Sequence, residues 1–375
     1  MKQSLQFINK IEKKIEGTQD PSVIPNTDNK RSRWYILIID ELEKQFERVQ
    51  VKNREEKNNE LVKKKANPSS TIPNFQLENN RNICTVAGGK GGTGKSFISA
   101  SLAVQLASTE RDVVLIDADL GCPNLHTILG VKEANLDLGD FVMNKILKLE
   151  DAAVLTPYNG LKLIKGANSV LFMENLNYYK KLKLIRHIKA LNEKQIIVDL
   201  GSGTSFNTLD LFILSNTGIL VINPEKTSME ATYYFLKSCM IRILKAYIKC
   251  YKIQDLEIKM DKFIKNNSGS IFNFFNDIIS LDKASSSLLF GALEKFKPNF
   301  IINKVRDEKD FTLGKSMIEI AQEKLALDLN FLGSVPYDER VHTCQNENIP
   351  FITIYPNSAT SISIRKIAEK MMYRN

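Results

Sequence analysis

The sequence predicts an α/β fold in which a doubly wound, mostly parallel sheet has helices on both faces, with a helical N-terminal extension before it. Three observations predict this fold. Apolar strand-like runs alternate with helical patterns from about residue 80 onward, a glycine-rich loop joins the first such strand to the first such helix, and two later strands end in aspartates. Residues 81–375 are enough to bury the core of one domain.

The individual elements follow from the hydrophobic pattern. Seven strand-like segments begin near residues 82, 112, 162, 195, 217, 299 and 329. Helical patterns cover residues 95–108, 178–191, 229–249, 311–327 and 360–373. Strands that alternate with helices in this way form βαβ units, which predicts a sheet of mainly parallel strands.

The glycine-rich loop is the most informative segment. Residues 88–96 read Gly-Gly-Lys-Gly-Gly-Thr-Gly-Lys-Ser, between an apolar strand and a helical pattern. Backbone N–H groups in such a turn form an anion-binding nest. The spacing from Gly89 to Gly94-Lys95-Ser96 matches the P-loop, in which the lysine suits the β- and γ-phosphates and the hydroxyl suits Mg²⁺. The segment therefore predicts nucleotide binding.

Two further strands end in carboxylates. Val113–Ile116 leads to Asp117 and Asp119, and Gln195–Val198 leads to Asp199. Ligands bind at the carboxyl ends of strands in open α/β sheets. Mg²⁺ prefers oxygen ligands and keeps several waters, so one hydroxyl and one or two carboxylates suffice to hold it.

A second lysine, Lys90, sits near the start of the loop. Residues 90–96 resemble the deviant Walker A motif of the MinD/ParA family of ATPases, in which this lysine reaches across a dimer to the partner's nucleotide. The resemblance implies ATP and Mg²⁺ as cofactors and an ATP-dependent homodimer. It implies nucleotide binding by Gly89, Lys90, Gly91, Gly92, Thr93, Gly94, Lys95, Ser96, Phe97 and Asn303.

The resemblance also implies individual roles. Asp119 resembles the residue that orients the attacking water, so the implied catalytic residues are Lys90, Lys95 and Asp119. Asp117 resembles a switch I residue near the metal and Asp199 the Walker B aspartate, so the implied metal-site residues are Ser96, Asp117 and Asp199. Asn303 ends a strand like the one whose asparagine recognises adenine, although an asparagine that closes a turn is the alternative.

Within the family, residues 119–125 and 201–208 look closest to the FlhG-like branch, regulators of flagellar number and polar placement. The expected function is an ATP-hydrolysing dimeric switch that positions a flagellum, a division site or DNA. The family resemblance also implies slow hydrolysis that a protein partner accelerates. The alternative is a nucleotide-binding scaffold with little turnover that acts through its N-terminal arm and an insertion. The tyrosine cluster of related bacterial kinases does not occur at the C-terminus.

Composition narrows the class of protein. Charged residues make up 25% and hydrophobic residues 43% of the chain, as in ordinary globular proteins, and no apolar run is long enough for a transmembrane helix. The five cysteines are scattered, which disfavours a disulfide framework or a metal cluster. We expect a cytoplasmic protein, with peripheral attachment to the inner membrane face as a further option. The net charge of +9 leaves DNA or an anionic membrane surface open as partners.

Three segments fall outside the core pattern. Residues 1–51 form a predicted helical extension that either docks on its own ATPase domain or binds a partner, and residues 52–80 read as a flexible linker. Residues 250–298 form a predicted helical insertion in the ATPase domain 81–375, for which core or dimer packing is favoured over a partner or bilayer surface. The helix over 360–373 is expected to pack on the core rather than on a membrane.

Overall fold

The structure, a computed structural model, describes residues 82–110, 112–119, 121–132, 135–167, 178–266, 271–281 and 283–372. The predicted helical extension over 1–51 and the linker over 52–80 lie outside the described residues.

The centre of the molecule is a sheet of eight strands in the spatial order β3-β4-β2-β5-β1-β6-β7-β8. The strands are β1 Asn82–Gly88, β2 Val113–Ala118, β3 Ala153–Leu155, β4 Leu161–Ile164, β5 Gln195–Ser202, β6 Thr217–Ile222, β7 Asn299–Val305 and β8 Asn330–Pro336. All neighbours pair in parallel except β3, which runs antiparallel to β4 at the sheet edge. The carboxyl ends of the other seven strands therefore lie along one edge of the sheet.

Thirteen α-helices connect these strands in the described part of the chain. They are α1 Lys95–Glu110, α2 Leu125–Ile128, α3 Leu138–Val142, α4 Tyr178–Ala190, α5 Phe206–Ile213, α6 Lys226–Cys250, α7 Gln254–Asn266, α8 Ile271–Ile279, α9 Lys283–Glu294, α10 Glu308–Leu325, α11 Arg340–Asn346, α12 Phe351–Ile354 and α13 Ala359–Met372. A 3₁₀ turn, Leu149–Ala152, precedes β3.

The fold class is confirmed, and each of the seven predicted strands is present. The strand β3 was not predicted, because three residues are too few to show a period. The helix predicted over 229–249 begins earlier, at Lys226. Ser228, in the first turn of this helix, accepts a hydrogen bond through its hydroxyl from the N–H of Asn223, at 3.1 Å.

Alternate residues of the strands belong to two separate hydrophobic cores, one on each face of the sheet. In β2, Val113 and Leu115 pack beneath α1 and α13, while Val114 and Ile116 pack on the opposite face with α4 and α6. Side chains in a strand point to opposite faces in turn, so a strand that is apolar throughout requires a helical layer on each side. The central strands are buried on both faces for this reason.

The insertion over 250–298 contains α7, α8 and α9, which pack against α6 and α10. Its apolar side chains, among them Phe274, Ile278 and Leu289, are fully buried and continuous with one of the two cores. The insertion therefore enlarges that core.

The apolar face of α13 is also occupied. Ile364, Ile367, Ala368 and Met371 are buried in the other core, with α1 and β8. Within the described residues, no helix has both the length and the apolar character needed to cross a membrane.

Candidate nucleotide-binding site

The glycine-rich loop connects β1 to α1 at the carboxyl edge of the sheet. Gly92 and Gly94 have φ angles of 77° and 90°, which glycine adopts without the strain that other residues incur. A Cβ atom on Gly89 would lie 2.4 Å from the backbone of Ala231 on α6, so only glycine fits this close approach. The loop ends at the N-terminus of a sixteen-residue helix, where free N–H groups and the helix dipole favour an anion.

Asp199 lies behind this helix terminus at the end of β5. Its Oδ1 accepts a hydrogen bond from Ser99 Oγ at 2.8 Å, and the Ser96 hydroxyl lies close enough to its carboxylate to lower the pKa. Its other oxygen, Oδ2, is buried with no hydrogen-bond partner in the described part of the chain. Burial raises the pKa of Asp199 to about 6, although the hydroxyl hydrogen bonds and the charge of Lys95 act in the opposite direction.

Asp117 is the direct neighbour of Asp199, because β2 and β5 pair with these two residues in register. Its Oδ1 accepts the N–H of Asp119 at 3.2 Å and its Oδ2 accepts the N–H of Leu125 at 3.0 Å. Burial first, and then the charge of Asp199, raise the pKa of Asp117 to about 7. Two buried carboxylates side by side repel each other, and a divalent cation would relieve that repulsion.

The Ser96 hydroxyl and the unpartnered oxygen of Asp199 fit a magnesium ion. Both are hard oxygen donors, and Mg²⁺ takes few protein ligands because it keeps its waters. No group of three or more His, Cys, Asp or Glu side chains in the described ranges has the arrangement of a metal site. Such an ion would be held by the Ser96 hydroxyl and the Asp199 carboxylate, with waters as its other ligands.

Asp119 directly follows β2, and its N–H donates to Asp117 Oδ1. Its Oδ1 accepts the N–H groups of Gly121 and Cys122 at 3.0 and 3.2 Å. A Cβ atom on Gly201 would lie 3.3 Å from the same oxygen, so Asp119 lies against the carboxyl end of β5. The two acidic segments thus meet at one place, although 80 residues separate them in the sequence.

Lys95 and Lys90 occupy different environments. Lys95 is 7% exposed and lies close enough to Asp199 to act on its charge. Lys90 is at the surface, where its Nζ lies 3.1 Å from Glu225 Oε2 and donates to Thr227 Oγ1 at 2.9 Å. Glu225 and Thr227 flank the start of α6 and were not predicted as site residues. Their position just after a strand that ends at the same sheet edge was the available signal.

Asn303, at the end of β7, is 3% exposed and lies against the loop. Its Nδ2 donates to the carbonyl oxygen of Thr93 at 2.8 Å. Recognition of adenine by this residue stays a prediction. Ser99 was also missed by sequence reasoning, although it lies one helical turn after Ser96 and so on the same face of α1.

Other polar atoms are buried at this edge without a hydrogen-bond partner in the described ranges. Thr93 Oγ1 lies in the loop, and Asn223 Oδ1 lies just beyond the end of β6. With Asp199 Oδ2, they lie in or just after three adjacent strands, β5, β1 and β6. Buried polar atoms without partners are rare in folded proteins and here coincide with the expected ligand site.

Comparison with known proteins agrees with this geometry. The chain is 27% identical over 289 residues to an uncharacterized ATP-binding protein of Methanocaldococcus jannaschii, an alignment that spans 76% of this chain and 86% of that protein. It is 24% identical over 291 residues to the antiactivator FleN of Pseudomonas aeruginosa, spanning 77% and 85% of the two chains.

Among solved structures, the fold is similar to that of the septum site-determining protein MinD from Pyrococcus horikoshii, which was determined with Mg-ADP. The TM-score is 0.50 at 24% identity, over 78% of this chain and 96% of that one. The CobQ/CobB/MinD/ParA nucleotide-binding domain matches residues 84–351. This match spans the loop, both acidic segments and Asn303, and the chain therefore belongs to the MinD/ParA family of nucleotide-binding proteins.

Proposed function

We propose that this protein binds ATP and Mg²⁺ at the carboxyl edge of the sheet, hydrolyses the γ-phosphate and acts as an ATP-dependent dimeric switch. The observation that carries the proposal is the buried carboxylate of Asp199, with one unpartnered oxygen, beside the Ser96 hydroxyl and Lys95. A buried charge without a cation is costly, so the arrangement favours a bound metal and its phosphate ligand.

Each residue has a distinct task in this proposal. The loop N–H groups and Lys95 hold the phosphates, while Ser96 and Asp199, with Asp117 beside them, hold Mg²⁺. The ion would neutralise charge that builds up on the phosphate oxygens. Asp119, fixed by the N–H groups of Gly121 and Cys122, keeps one carboxylate oxygen outside those two bonds and orients the attacking water.

The proposal of a dimer rests on Lys90. Its ammonium lies on the surface of the loop rather than in the phosphate nest, a position that suits contact with a second copy of the chain. We propose that Lys90 completes the partner subunit's site when both copies hold ATP, and that a protein activator then accelerates hydrolysis.

The cellular role is proposed from the relatives. One similar protein is an antiactivator, and another is a septum site-determining protein. We propose a similar role here, at a flagellum, a division site or DNA. We place this role in the cytoplasm, where the ATP pool is, with peripheral contact at the inner membrane face or with DNA.

Phosphate release tests the enzymatic part. Asp119→Asn keeps an oxygen that can accept the Gly121 and Cys122 N–H groups but removes the charge, so ATP binding should persist while hydrolysis falls by at least tenfold. Asp119→Ala should lose hydrolysis as well. Asp112→Asn is the matched control, because Asp112 accepts the N–H of Lys194 at the opposite end of the same strand.

The phosphate-release assay distinguishes an ATP-hydrolysing switch from a nucleotide-binding scaffold. Wild-type protein that binds ATP but releases no phosphate above background would favour a nucleotide-binding scaffold. Wild-type protein that binds no adenine nucleotide would refute both.

A further inference from the structure

The end of β7 contains a bulge. Asn303 pairs with Val335 and Val305 pairs with Pro336, so β7 has one residue more than β8 between two consecutive pairs. The extra residue is Lys304, and its φ angle of 62° lies in the left-handed region that residues other than glycine seldom adopt. Bulges next to functional sites commonly redirect a side chain.

This bulge changes the direction of two consecutive side chains of β7. Consecutive residues of a regular strand point to opposite faces of the sheet. Asn303 and Lys304 instead both contact the glycine-rich loop, because Asn303 Nδ2 donates to Thr93 O at 2.8 Å and Lys304 Nζ donates to Gly92 O at 2.9 Å. Two consecutive carbonyls of the loop are thus bound by two consecutive residues of a strand more than 200 positions away.

Binding a carbonyl also fixes an N–H group. A peptide unit is planar and trans, so its C=O and N–H point in opposite directions. The carbonyl of Gly92 shares its plane with the N–H of Thr93, and the carbonyl of Thr93 shares its plane with the N–H of Gly94. The two contacts from β7 therefore set the directions of two donors of the phosphate nest.

Glycine makes this restraint important. Gly92 and Gly94 give the loop its left-handed turns, and glycine has more backbone freedom to lose on ordering than any other residue. A Cβ atom on Gly92 would meet no atom of the described residues within 4 Å, so their packing around that position does not hold the backbone. Lys304 contacts the loop at this open position.

We propose that Lys304 is a positioning residue for the nucleotide phosphates. It holds the peptide between Gly92 and Thr93 so that the Thr93 N–H is aimed at the phosphates before the ligand arrives. The role rests on the proposed nucleotide binding. It should affect ATP and ADP alike, since the nest binds phosphates that both carry, and it should leave the chemical step unchanged.

Hydrogen–deuterium exchange and nucleotide binding test this role. In Lys304→Ala, exchange of the amides between Gly91 and Lys95 should be several-fold faster in nucleotide-free protein. The Kd values for ATP and ADP should each rise by about five- to tenfold, the loss expected for one charge-assisted hydrogen bond, with kcat within about twofold. Lys304→Arg, which restores a charged donor, should recover exchange and affinity.

Two further variants test whether a change in exchange or affinity comes from backbone strain rather than from loss of the Lys304 side chain. Lys304→Gly removes the side chain but adopts the left-handed backbone without strain, so it should repeat the alanine result even if Lys304→Ala folds poorly. Lys252→Ala alters a lysine with the same backbone geometry, φ 55°, in the turn after α6, and should change neither readout.

Two results would overturn the proposed role of Lys304. Unchanged loop exchange in Lys304→Ala and Lys304→Gly would overturn the proposal. Weaker nucleotide binding with unchanged exchange would also overturn it, because a charge effect on the phosphates needs no restraint of the free loop. If wild-type protein binds no nucleotide, the proposed function fails, while exchange in the free protein still decides whether Lys304 orders the loop.

Discussion

The ammonium of Lys90 lies 3.1 Å from Glu225 Oε2 of the same chain. In the proposed dimer Lys90 contacts the partner subunit's nucleotide, so the contact with Glu225 would have to open or rearrange when two copies meet. Both side chains are exposed, 44% for Lys90 and 54% for Glu225, so the contact is weak enough to exchange.

Lys90→Ala should abolish ATP-dependent dimerisation, and Glu225→Gln should strengthen it by no more than about threefold, because an exposed ion pair contributes little. Sedimentation with ATP against ADP measures both. Lys148→Ala, which breaks the surface pair between Lys148 and Glu150, is the control. Dimerisation and hydrolysis that survive in Lys90→Ala would show that the cross-subunit role is wrong.

Asp199→Asn should stabilise the metal-free protein while it weakens magnesium-dependent nucleotide binding and hydrolysis. The substitution removes a buried charge next to Asp117, so the free energy of unfolding should rise by about 1–3 kcal/mol. Urea unfolding in a chelator at neutral pH measures this change. A less stable Asp199→Asn protein would mean that the carboxylate is satisfied without a cation.

Gly94→Ala should destroy the phosphate nest. The new Cβ would lie 2.2 Å from Asn303 Nδ2, and the φ of 90° would be strained for alanine. The expected cost is about 1–3 kcal/mol in the free energy of unfolding, with loss of nucleotide binding. Gly291→Ala in α9 is the matched change, since no atom in the described ranges lies within 4 Å of its Cβ position. That variant should gain about 0.5–1 kcal/mol and bind nucleotide normally.

The insertion should be part of the folded core. Ile278 is fully buried and its neighbour Ile279 is 56% exposed, which gives a matched pair on one helix. Ile278→Ala should cost about 2–5 kcal/mol in the free energy of unfolding and Ile279→Ala less than about 0.5 kcal/mol. Equal effects of the two substitutions in thermal or urea unfolding would indicate that α8 is not docked as described.

Arg340 should contribute a pH-dependent part of the stability. Its guanidinium donates two hydrogen bonds to Asp338, at 2.9 and 2.6 Å, and lowers the pKa of that carboxyl. A lowered pKa in the folded state stabilises the protein above the unfolded pKa of about 3.9, and the contribution is lost as pH falls through the folded value.

Arg340→Gln should therefore be less stable than wild type at pH 7, and the difference should shrink toward pH 3 as Asp338 becomes protonated. Arg365→Gln is the control, because Arg365 donates to the carbonyl of Pro356 rather than to a carboxylate. Its effect should not depend on pH in this range. A difference for Arg340→Gln that grows toward pH 3 would contradict the assignment.

The order of strands and helices could be predicted from the sequence because it depends on local patterns. Runs such as Val113–Ile116 are buried on both faces and hence apolar at every position, and the loop needs glycine at Gly94 whatever surrounds it. The boundaries were less certain, as the start of α6 shows. Its first residue, Lys226, follows Glu225, which is not one of the usual N-cap residues and makes no side-chain capping hydrogen bond in the described part of the chain.

The sequence by itself therefore determined the fold class and the phosphate loop, because strand burial, helix periodicity and glycine spacing are properties of adjacent residues. Only the tertiary structure decided which distant groups meet that loop. Lys90 contacts Glu225, and Lys304 donates a hydrogen bond to the carbonyl of Gly92. These contacts depend on the order of strands in the sheet and on one bulge, which are set by packing across the whole domain and leave no local pattern in the chain.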